Sequence, residues 1–163
     1  MINRITRKIV FLLSLALFGC DFMSRNNFKT VSLVTHHTMN NNSVLRVDIV
    51  QVFEADLWKM LSKMSNQDYF SQKEDIIKQN NLNIKLWSFE PIPQTKTSSF
   101  QLQNWKNISY GAVMFISYSS KQKNIIIPNS ATHISIALGD KKIENISTRT
   151  KPKCTIRREE EKI

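Results

Sequence analysis

From Phe28 onward the spacing of apolar residues changes from strand-like to helical and back again. Phe28, Val31, Leu33 and Val34 mark a first strand, and a long polar connection of turn-forming residues follows at 36–43. Between Val44 and Phe53 the period is two, with Leu45, Val47, Ile49 and Phe53 on one face and Val44, Val50 and Val52 on the other. A strand apolar on both faces is expected inside a sheet. Leu57, Leu61 and Met64 then recur at helical spacing, and a second helical run passes through Tyr69, Phe70, Lys73, Ile76 and Ile77 before Gln79-Asn80-Asn81 ends it. Ser65 with Asp68 behind it is a capping signal for that second helix, and Glu54 and Asp56 offer the same for the first.

Strands then resume. Leu82, Ile84 and Leu86 alternate until Pro91 and Pro93, which have no N–H to give a ladder, and Phe100 with Leu102 marks another short strand. Tyr110 to Tyr118 is apolar on both faces, as a central strand would be, and Ile125–Ile127 is a short edge candidate. Thr132 to Leu138 alternates with Ile134, Ile136 and Leu138 inward, and Gly139-Asp140 turns the chain toward Lys142-Ile143 as a hairpin. The expected fold is mainly β: a small antiparallel β-sandwich over 28–146 with a short two-helix insertion at about 55–79. From Ser147 apolar residues nearly vanish, so 147–163 reads as a flexible charged tail, either solvated or touching headgroups or a partner.

The N-terminus alters where such a domain would work. Arg4, Arg7 and Lys8 precede an apolar run from Ile9 to Phe18, followed by Gly19 and Cys20. A run of about ten residues is too short to cross a hydrocarbon core, which needs about 20, and reads as an export signal. Leu17-Phe18-Gly19-Cys20 resembles the lipobox of bacterial lipoproteins. That resemblance implies a signal peptide at 1–19 that is cleaved, lipid on Cys20, and a polar tether over 20–27. The other open reading is an ordinary secretory signal with an unmodified Cys20. Lipidation would hold the domain on the periplasmic face of the envelope. Asp21, directly after the cysteine, resembles the enteric signal for inner-membrane retention.

Without Arg4, Arg7 and Lys8 the formal net charge falls from +10 to +7, and most of the excess lies in 104–163. In the periplasm a basic surface suits lipid headgroups, acidic glycans or an acidic protein face, and nucleic acid is not expected. If Cys20 carries lipid, Cys154 has no partner within the chain, leaving a free thiol or an intermolecular bridge.

No constellation of acid, base, nucleophile or metal ligands emerges, so neither enzymatic activity nor a metal or cofactor is expected. His36 and His37 are adjacent in a loop and His133 stands far off on a strand. Asp48, inside an apolar strand, is expected to play a structural part and pair with Arg46 or Lys85. Trp58 and Trp87 read as core, whereas Trp105 is either a contact anchor or folded back onto the sandwich edge.

Val50-Gln51-Val52-Phe53, the leucine and aromatic insertion through Phe70, Phe89-Glu90-Pro91-Ile92-Pro93 and Ala112-Val113-Met114-Phe115-Ile116-Ser117-Tyr118 follow the lipobox in an order that resembles the type VI secretion lipoproteins. The resemblance implies a transthyretin-like sandwich in the periplasm, an outer-membrane address, and a non-enzymatic role in a secretion complex. There it would bind the periplasmic part of an inner-membrane protein. The loop with His36, His37, Asn40, Asn41 and Asn42 is the candidate contact, because loops on a rigid scaffold reach a partner without disturbing the core. Two other roles stay open: a stand-alone binder of a small ligand or glycan, and a pilotin-like escort of an outer-membrane channel subunit.

Overall fold

The computed structural model describes residues 24–25, 28–106, 108–118 and 122–150. The signal segment, Cys20, Asp21 and Cys154 lie outside the described residues. Along the chain run β1 (Ser24–Arg25), β2 (Thr30–Thr35), β3 (Val47–Val52), α1 (Ala55–Leu61), α2 (Asn66–Asn80), β4 (Ile84–Phe89) and β5 (Lys96–Gln101). Then come β6 (Ile108–Ser109), β7 (Gly111–Ile116), β8 (Ile125–Ile127), β9 (Ala131–Leu138) and β10 (Ile143–Thr150). One sheet has the order β10-β9-β2-β5, another β4-β3-β7-β8, and β1 pairs with β6 alone.

The alternation in each strand explains how the layers meet. Val31 and Leu33 of β2 with Ile134, Ile136 and Leu138 of β9 face Val47 and Ile49 of β3 and Met114 and Ile116 of β7 across one buried core. β3 and β7 are apolar on both sides because their other faces are also covered. Val50, Val52, Val113 and Phe115 pack under Leu57 and Leu61 of α1 and Tyr69 and Ile76 of α2, a second core between sheet and helices. The molecule is a sandwich with a helical layer on one outer face. At the start of α2 the Ser65 hydroxyl accepts from the Asp68 N–H at 3.1 Å, as its capping signal implied, whereas Glu54 occupies the N-cap of α1 without a side-chain cap bond.

Several expectations need correction. The first sheet is mixed: β2 pairs antiparallel with β5 but parallel with β9, because chain order brings two strands running the same way side by side. The last strand continues through Thr150, with Ser147, Thr148 and Arg149 opposite Ser135, Ile134 and His133, so order extends past the expected start of the tail. Its side chains are nearly all exposed, so ladder hydrogen bonds rather than apolar burial hold it. Within the expected tether, Ser24 and Arg25 pair with Ser109 and Ile108. Leu82 lies in the turn before β4, 87% exposed. Among the described residues no helix is long and apolar enough to cross a membrane.

Strand directions give the sandwich two distinct ends. β2 leaves the end where the chain enters at Phe28 and Lys29, and β3 returns to it. This base collects the segments 53–54, 82–83, 102–106, 108–110 and 128–130, and the opposite end collects 36–46, 90–95, 117–118, 122–124 and 139–142.

Candidate functional site at the loop end

The 36–46 connection is held from both sides. Met39 is fully buried in the core between the sheets and plugs the loop into the end of the sandwich. Asn40, Asn41 and Asn42 take φ of 49°, 52° and 60°, three consecutive left-handed residues. Asparagine tolerates this region better than other side chains that carry a Cβ, which explains the run of three. The Asn40 N–H donates to the Gly139 carbonyl at 3.2 Å, the Asn41 N–H to Asp140 Oδ1 at 3.1 Å, and the Asn40 amide to the Val44 carbonyl at 3.3 Å.

The turn between β9 and β10 is therefore the loop's foundation. Tyr118 Oη donates to the same Gly139 carbonyl at 3.1 Å, and burial, with Glu144 nearby, pushes its phenol well above the usual range so that it stays a donor. A Cβ on Gly139 would meet the Glu144 side chain, which is half exposed and free to swing aside. Glu144 also lies 4.0 Å from His36 Nε2, and both side chains are about half exposed, a pair weakened by water.

His37, Asn41 and Asn42 point into solvent, while His36 and Asn40 are half-buried. Beside them stand Val44, 51% exposed, and Ile92, 53% exposed, joined where the Leu45 N–H donates to the Pro91 carbonyl. Sequence periodicity assigned Val44 to a strand face and said nothing of Ile92. The signal for Ile92 is its place between two prolines, which keeps it out of any ladder.

A cleft of about 310 Å³ opens near this end between the edges of β4 and β5, lined by Leu33, Thr35, Phe89, Pro91, Ile92 and Phe100 among others. Its polar lining is Thr35, Glu90, Gln94 and Ser98. The Thr35 hydroxyl is engaged by the Gln94 carbonyl at 2.5 Å.

Other singled-out residues lie elsewhere. His133 stands opposite Thr30 near the base, so the three histidines are not brought together. Asp48 pairs with neither Arg46 nor Lys85. Its side chain faces the helical layer, where Lys73 Nζ lies 2.8 Å from Oδ2 and Tyr69 Oη donates to the same oxygen at 3.0 Å. Arg46 lies over the Phe70 ring instead, and Lys85 donates to the Asn104 carbonyl. Trp105 folds back, edge-on to Phe28 and stacked on Trp87, both at 5.1 Å between centroids. Trp58 and Trp87 are only half-buried.

No family model and no curated protein sequence matches this chain. Among solved structures, the T6SS lipoprotein TssJ1 from Pseudomonas aeruginosa aligns over 77% of this chain and 99% of its own, with 15% identity and a TM-score of 0.50. Serratia marcescens Lip, a membrane bound component of the Type VI Secretion System, aligns over 76% of this chain and 99% of its own, with 14% identity and a TM-score of 0.48. The resemblance first read from strand order holds at the level of the fold: this chain folds like the type VI secretion lipoprotein TssJ1.

Proposed function

We propose that the chain is a non-enzymatic lipoprotein of a type VI-like secretion machine, anchored in the envelope by lipid on Cys20 and offering its 36–46 loop to a protein partner. The fold likeness to TssJ1, which covers nearly all of that lipoprotein, carries the reading. The polarity of the sandwich supports it, since the chain enters at one end and the loop stands at the other, free to meet a partner away from the bilayer. The partner is the periplasmic part of an inner-membrane subunit, and the outer membrane is the address that this role requires.

A crosslinked pull-down of the full-length protein from solubilised envelopes, with Cys20→Ser as control, tests this. Recovery of a large inner-membrane secretion subunit supports the reading, and recovery of nothing beyond the control, with acylation and folding verified, counts against it. Loop variants locate the contact. His36→Ala and His37→Ala combined with glycine at 40, 41 and 42, which keeps the positive φ available, should lower recovery about ten-fold and leave the circular dichroism spectrum unchanged. Undiminished recovery removes the loop from the proposal.

A further inference from the structure

The base of the sandwich carries features that the loop end does not explain. Leu82 and Ile108 are 87% and 56% exposed there, apolar side chains within reach of an interfacial phase. Around them stand three lysines. Lys29 is exposed at the chain entry, Lys106 extends over the Phe53 ring at 4.7 Å, and Lys85 lies over Trp87 while donating to the Asn104 carbonyl at 2.9 Å. Lysines set beside aromatic rings suit a boundary between water and an apolar phase. Acids nearby sit on the helical side: Asp56 is bonded to Lys59 at 2.8 Å, and Glu54 is half-buried.

We propose that this base is a second contact surface, resting on the anionic headgroups of the bilayer that holds the acylated Cys20. The inference depends on the acylation proposed above. Covalent geometry makes it specific: Ser24 pairs with Ser109 at the base, and Cys20 stands four residues earlier. Four residues span at most about 14 Å, and the Debye length at physiological salt is about 8 Å. The base is thus confined near the headgroups, where lysines gain from a negative surface and exposed leucine and isoleucine side chains enter the interface. The loop end, a full strand length away, is turned from the bilayer.

The test uses the full-length acylated protein with Cys154→Ser, carrying a spin label at Leu82→Cys or, as control, at Val44→Cys. It is reconstituted in phosphatidylcholine vesicles with or without phosphatidylglycerol. Power-saturation measurements should show the base label shielded from a water-soluble nickel chelate and the loop-end label accessible, with shielding strongest on anionic vesicles and released by high salt. Lys29→Gln with Lys106→Gln, both exposed positions, should lower the docked-to-free ratio about five-fold per lysine and about thirty-fold together. Equal accessibility of both labels in a protein whose mass confirms the acyl chains would overturn this inference alone. Equal shielding on neutral and anionic vesicles would overturn the headgroup contact. An N-terminal mass without lipid would overturn the anchor and this inference with it.

Discussion

Replacing Lys73 with alanine should destabilise the domain by about 3 kcal/mol in denaturant unfolding at neutral pH. Asp48 is 1% exposed in the middle of β3, and Lys73 of α2 supplies the ammonium at 2.8 Å. Without it the buried carboxylate keeps only the Tyr69 hydroxyl as a donor to Oδ2, and its Oδ1 has no hydrogen-bond partner. A buried charge stripped of its counter-ion costs far more than an exposed pair gains. Replacing both partners, Asp48→Leu with Lys73→Met, should recover most of the loss because no charge remains under the helix. If Lys73→Ala unfolds at the native midpoint, the pair does not fasten the helical layer to the sheet.

Met39→Ala should cost about 3 kcal/mol, in the range for emptying a fully buried methionine site. Its consequence differs from that of the ion pair because Met39 is the loop's own plug in the core. Once the plug is gone, the three left-handed asparagines are held by hydrogen bonds to the Gly139–Asp140 turn, to Val44 and from the Ser43 N–H. Partner recovery should therefore fall with stability. His37→Ala, at an exposed position, should change stability by no more than about 0.5 kcal/mol. Stability lost with recovery intact would mean that the partner reads another surface.

How much of this was legible in the sequence depended on whether local periodicity carried the information. β3, β7 and β9 declared themselves through alternation or through apolar residues on both faces, and α2 through its spacing and its Ser65 cap. Ser24–Arg25 and Ile108–Ser109 are too short to show a period. β10 was cut short because seven of its eight side chains are exposed, so composition made it look like tail. Asp48 was assigned the wrong base because its partner comes from a helix rather than from a neighbouring strand position. In the loop, the run of asparagines announced a turn, but neither its left-handed geometry nor its footing on residues 139–140 can be read from spacing. The parallel pairing of β2 with β9 belongs to strand order, which no local pattern encodes.

That pairing also governs when the domain can fold. Thr30 meets His133 and Thr35 meets Leu138, so the earliest strand of the mixed sheet waits for nearly the last one before its inner edge is covered. Until then β2 has only β5 beside it, and β10 has nothing to dock against. Joining segments so far apart requires closing a long loop, which slows folding. If the chain is exported as proposed, that delay gives it time to cross a membrane unfolded. The strand order keeps it pliable until almost the whole domain has been made.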